Sequence, residues 1–135
     1  MKTIRCSSLP RIAACAGSEK ACEGLKSKSS AVSESGTRIH AAIESHYLKA
    51  GIPEGLETRE SLIAHWFTRR ADEIIEMRGG AKDVYPEVRL NGQITDDIEI
   101  SGQPDLIVRC NDGKWLVFDW KTAFAEVPAA SRNVQ

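Results

Sequence analysis

The sequence predicts an α/β fold in which two amphipathic helices precede a small mixed sheet. Apolar residues recur at three- and four-residue steps over 37–50 and again over 58–78. After Gly80 the period drops to two and the residues become β-formers. Asn111-Asp112-Gly113 then separates two apolar runs, the signature of a hairpin turn. At 135 residues the chain fits a single domain spanning 1–135. The composition is 41% hydrophobic and 27% charged, which excludes fibrous and wholly disordered classes.

Element by element, Ser7 or Ser8 is placed to cap a short helix over 9–15, with Pro10 tolerated in its first turn. The segment 24–36 carries Ser27, Ser29, Ser30, Ser33 and Ser35 and is too polar to order itself, so a mobile loop is expected. Thr37 is the expected cap of a helix with Ile39, Ala42, Ile43, His46 and Tyr47 on one face and Gly51 at its end. The next helix has a stripe of Leu62 or Ile63, Trp66, Phe67, Ala71, Ile74 and Ile75, and Gly79-Gly80 stops it. Arg69, Arg70 and Arg78 fall off that stripe and read as a solvated face. Residues 84–90 read as an edge or first strand because of Pro86, 98–108 as strand, kink and strand, and 115–121 as the return strand. The last residues, 129–135, have the look of a helix start.

No apolar run reaches the roughly 18 residues of a spanning helix and no signal peptide opens the chain, so a cytoplasmic protein is expected, away from membranes. A net charge of −1 restricts any nucleic-acid surface to a local patch. Cys6, Cys15, Cys22 and Cys110 form no CxxC pair and read as buried or idle thiols.

The chemistry concentrates in the hairpin. Asp105 opens one strand, while Asp119 and Lys121 lie two apart on the next and so share a face. Two carboxylates and an ammonium suit metal-assisted phosphodiester hydrolysis: acids hold Mg²⁺ or Mn²⁺, and the lysine orients water or offsets charge. A lone Asp-x-Lys is more often a solvent-facing strand edge. Here Gly102-Gln103-Pro104-Asp105 adds an acid inside an apolar hairpin, where burial is costly unless the charge is paired or metal-bound. His40 and Glu44 lie one turn apart on one helical face, an arrangement equally suited to a simple contact.

Taken in order, these motifs resemble the RecB-like branch of the PD-(D/E)xK nuclease superfamily. Gly102-Gln103-Pro104-Asp105 is similar to its GxxD element, and Phe118-Asp119-Trp120-Lys121-Thr122 to its DxK strand. Gly36-Thr37-Arg38-Ile39-His40-Ala41-Ala42-Ile43-Glu44 resembles its histidine-bearing helix, and the segment from Ser8 to Cys15 resembles the opening of phage-type exonucleases. The resemblance implies a restriction-endonuclease-like core with His40, Asp105, Asp119 and the Trp120 carbonyl as metal ligands and Lys121 as the catalytic lysine. Asp105 and Asp119 then serve both catalysis and metal binding, with Glu87, Glu44 and Gln135 as supporting residues. Gln135 stands where the family begins a Gln-x-x-x-Tyr motif, so the core is expected to be incomplete at the C-terminus.

The implied activity is Mg²⁺- or Mn²⁺-dependent exonucleolytic hydrolysis of DNA in phage or bacterial recombination or repair, with DNA and a recombination protein as partners. A histidine beside carboxylates favours Mn²⁺ more than an all-oxygen site would. Only Cys15 has a counterpart among the cysteines that hold an iron–sulfur cluster in some members, so no cluster is expected. The competing expectation is a non-catalytic DNA- or protein-binding module derived from such a nuclease; a weaker one is an RNA-directed phosphoesterase.

Overall fold

The computed structural model of the chain describes residues 1–25 and 30–122. It is mixed α/β with two small sheets, and the chain divides into two compact units. The first unit takes its described residues from 1–25 and 89–103, the second from 30–88 and 104–122.

In the first unit, β1 (Lys2–Arg5) leads through a 3-10 turn (Cys6–Ser8) into α1 (Leu9–Ala14), and α2 (Ser18–Ala21) follows. The helix expected over 9–15 is present with Pro10 in its first turn, but neither Ser7 nor Ser8 caps it through a side chain. Ser7 and Ser8 are instead consumed in the preceding 3-10 turn.

In the second unit, α3 (Ala31–Tyr47) and α4 (Thr58–Glu76) pack together and β2 (Ala81–Pro86) follows. The loop expected over 24–36 is corrected in its second half, because α3 starts six residues before Thr37. Ser30 is the cap, its Oγ accepting from the Ser33 N–H at 3.2 Å, and Glu34 sits in the first turn. Thr37 lies inside the helix with its hydroxyl donating to the Ser33 carbonyl at 3.0 Å. The polar start is helical because it has tertiary partners, which local composition does not reveal.

The stripe expected on α4 holds at Ile63, Phe67, Ala71 and Ile75, which lie in or against the core, and is corrected at Leu62 and Trp66. Buried residues are Glu60, Ala64, Thr68, Ala71 and Ile75, while Leu62 and Trp66 are 67% and 63% exposed. Contacts between α3 and α4 advance together: Ser35 and Arg38 meet Glu60, and Tyr47 meets Asp72. The two helices therefore run in the same direction, and residues 48–57 carry the chain back, turning at Gly51 and Gly55 with φ of 75° and 91°.

The sheets differ from the single one expected over 84–122. In the first unit, β3 (Leu90–Thr95) and β1 flank β4 (Ile98–Gly102), β1 in parallel and β3 antiparallel. In the second unit, β5 (Leu106–Cys110) lies between β2 and β6 (Trp115–Phe118), all antiparallel. Thus the run expected as one strand over 84–90 breaks at Glu87, and the return strand ends at Phe118 rather than Lys121. The hairpin between β5 and β6 turns at Asn111-Asp112-Gly113, where Gly113 has φ 83° and donates to the Cys110 carbonyl.

The core of the second unit joins Ile39, Ala42 and Ile43 of α3, Ala64, Ala71 and Ile75 of α4, and Leu106, Val108 and Cys110 of β5. Trp120 completes it, stacked on Phe118 and packed against Phe67. All four cysteines are free thiols. Among the described residues, no helix is long and apolar enough to cross a membrane.

Candidate metal centre

Strand register brings three acids to one end of the sheet in the second unit. Pro86 pairs with Leu106 and Leu106 with Phe118, so the next position along each strand is Glu87, Asp105 and Asp119. Those acids form a row across one end of the sheet, tied by the Glu87 N–H donating to the Asp105 carbonyl at 3.0 Å. From α3, His40 reaches the middle of the row, its Nδ1 lying 2.9 Å from Asp105 Oδ1.

Asp105 is buried, and both of its carboxylate oxygens are engaged: Oδ1 by His40 and Oδ2 by the Trp120 N–H at 2.5 Å. Burial pushes its pKa up, but the hydrogen bonds from His40 and Trp120 outweigh that penalty and hold the carboxyl below its ordinary range. The same contact with Asp105 raises the His40 pKa against the opposing effect of burial, and the charge of Glu87 adds to the rise.

Ligand atoms of His40, Glu87 and Asp105 lie within 4.8 Å of one another. The 2.9 Å between His40 Nδ1 and Asp105 Oδ1 is a hydrogen bond, so uptake of a cation on these two groups requires that bond to open and the ring nitrogen that ligates to be unprotonated. One imidazole nitrogen with two carboxylates is a donor set for Mn²⁺ or Mg²⁺, and the nitrogen shifts preference toward Mn²⁺. Glu87 has φ 52°, a left-handed conformation that costs a non-glycine residue roughly 1–3 kcal/mol.

Asp119 stands beside Asp105 without joining that three-residue group, and forms an ion pair with Lys121. Both side chains are substantially exposed, at 48% and 39%. Trp120 holds Asp105 through its N–H, and its backbone also raises the His40 pKa. Glu44 lies one turn beyond His40 on the wall of an open groove of about 620 Å³, with His40 and Glu87 at the same groove. Gln135 and the rest of 123–135 lie outside the described residues.

Sequence reading missed two supports. Gly36 faces Thr122: a Cβ at position 36 would sit 2.9 Å from Thr122 Oγ1, so the glycine lets the segment carrying Lys121 approach α3. Glu60, fully buried, accepts from Arg38 Nη2 at 2.7 Å and from Ser35 Oγ at 2.7 Å, fixing the turn of α3 before His40. Hydrogen bonds from Arg38 and then Ser35 lower the Glu60 pKa to about 2. An acid at the third position of a helix reads as an ordinary first-turn residue, which is why its partner on α3 was not legible. No protein-family model, curated protein or solved structure matches the chain.

Proposed function

We propose that the chain is a divalent-metal-dependent deoxyribonuclease of the RecB-like PD-(D/E)xK type, with a restriction-endonuclease-like core. On this reading it acts in the cytoplasm as an exonuclease in DNA recombination or repair. The supporting observation is the convergence of His40, Glu87 and Asp105, with the Asp119–Lys121 pair at the end of the neighbouring strand.

His40, Glu87 and Asp105 would hold the cation. When bound, such a cation would supply Lewis-acid activation of water and charge compensation for the phosphodiester. The remaining work belongs to the chain. The Trp120 N–H fixes the orientation of Asp105. Asp119 restrains the Lys121 ammonium, which is suited to donate hydrogen bonds to phosphoryl oxygens and to orient the attacking water.

Calorimetric titration with Mn²⁺ tests this reading. The intact chain is expected to bind one ion, Asp105→Ala none, and Glu87→Gln with at least about tenfold lower affinity. With linear duplex DNA, Lys121→Ala is expected to retain the ion and lose cleavage by on the order of 100-fold or more. A folded chain that takes up no Mn²⁺ would overturn the proposal. Binding of Mn²⁺ and DNA without cleavage would identify a binding module instead.

A further inference from the structure

Helix α4 carries apolar residues on two opposite sides. The inner side enters the core through Ala64, Ala71 and Ile75, while the outer side leaves Leu62 67% and Trp66 63% exposed, one turn apart. Helical geometry puts Arg59, Leu62, Trp66, Arg70 and Glu73 on one outward stripe, within about 80° of the helix circumference. Two large apolar side chains held together in water and framed by charges are the anatomy of a contact surface.

The stripe is symmetric in position and opposite in charge about Trp66. Leu62 and Arg70 each lie four residues from it, about 6 Å along the axis, and Arg59 and Glu73 each lie seven residues from it, about 10.5 Å. Such a face is complementary to itself when turned end for end, as a two-fold interface requires. Two copies of α4 crossing antiparallel at Trp66 set the two indoles together. They also set each Leu62 against the aliphatic stem of Arg70, and each Arg59 against Glu73, of the other copy. On its own helix Glu73 accepts from Arg69 Nε at 3.3 Å and from Arg70 Nη1 at 2.9 Å, and a carboxylate has the lone pairs to take a further donor. A parallel crossing would oppose Glu73 to Glu73 and Arg59 to Arg59, so charge selects the antiparallel one.

We propose that the outward stripe of α4 is a self-association surface on which a second copy of this chain docks antiparallel, with Trp66 at the centre and two Arg59–Glu73 ion pairs at the rim. A contact one helix wide is smaller than a standard interface, so the dimer is reversible, with a dissociation constant in the micromolar range or weaker. Nothing in the proposal depends on the metal centre.

Sedimentation equilibrium of the full chain over a range of concentrations tests it. The wild type is expected to shift from one chain to two as concentration rises, and Trp66→Ala to associate at least about 30-fold more weakly. Arg59→Glu and Glu73→Arg, each alone, are expected to lose about tenfold or more, because each opposes like charges twice across the two-fold. Mixed in equal amounts, these two variants restore both ion pairs in one heterodimer and are expected to recover to within about threefold of wild type. Recovery on mixing also shows that both variants are folded, and circular dichroism checks Trp66→Ala. A wild type that stays monomeric up to about 500 μM overturns the proposal and leaves the stripe to a different partner. A dimer that Trp66→Ala and both charge reversals leave unchanged places the contact elsewhere and overturns it equally. If the mixed variants associate no better than each does alone, the antiparallel pairing is refuted.

Discussion

The two units bury very different things. Every fully buried apolar side chain among the described residues belongs to the second unit, whereas the first buries only Ser18 and Ser101. Strand β5 alternates with Leu106 and Val108 at 0% exposure, while β3 is exposed at every position. Ladder hydrogen bonds are therefore enough to define a strand, but a rigid platform needs an apolar face against helices. The candidate metal centre lies in the unit that has one, where packing holds carboxylates against the cost of their burial.

The sharpest way to break this contrast is to truncate the two strands equally. Leu106→Ala is expected to cost about 2–5 kcal/mol, whereas Ile94→Ala on β3 should stay within about 0.5 kcal/mol. Urea unfolding at neutral pH measures both, and equal losses would dissolve the distinction.

A smaller effect sharpens the account of the second unit. The Glu60 carboxyl is lowered from 4.5 to about 2 by Arg38 and Ser35, so the folded state favours its ionised form. Its contribution is full above about pH 4.5 and disappears as pH falls through about 2. Wild type is expected to exceed Glu60→Gln in stability at pH 7, with the difference shrinking across that window in a series of urea midpoints. A difference that is constant with pH would remove the ion pair from the explanation.

Smallest is the effect at Gly36. Alanine should gain about 1 kcal/mol of helix propensity, but its Cβ meets Thr122 Oγ1. Gly36→Ala alone is expected to be neutral or slightly destabilising, and Gly36→Ala with Thr122→Ala to recover roughly that gain relative to Thr122→Ala. Thermal unfolding of the four proteins of this cycle checks the coupling.

These contrasts explain what was legible in the sequence. The β5–β6 hairpin was, because Asn111-Asp112-Gly113 encodes its own turn between apolar runs. Strands β1 and β3 were not: Leu90-Asn91-Gly92-Gln93-Ile94-Thr95 lacks the alternation of a half-buried strand. The first two turns of α3 were hidden by serines whose partners lie elsewhere in the chain, such as Glu60 for Ser35. On α4, the face through Ile63, Phe67, Ala71 and Ile75 was read correctly, but the burial of Glu60 and Thr68 through polar contacts was not, and Trp66 is left at the surface. At the site, motif order selected His40, Asp105, Asp119 and Lys121. The closeness of Glu87 to His40 and Asp105 depends on a left-handed turn at a non-glycine residue, which no propensity foretells.

The shared direction of α3 and α4 bears on how this protein folds. Their side-chain contacts join residues separated by 25, 22 and 25 positions at the two ends of the pair. In an antiparallel hairpin, contacts near the turn close short loops and those farther out close successively longer ones. Here each contact closes a loop of nearly the same length, so the entropy of closure favours neither end as the starting point. The pair has no local nucleus at its connection, and zippering from residues 48–57 outward is unavailable to it. Lengthening that connection would tax all contacts alike, and doubling the closed loop would cost only about 0.6 kcal/mol in total.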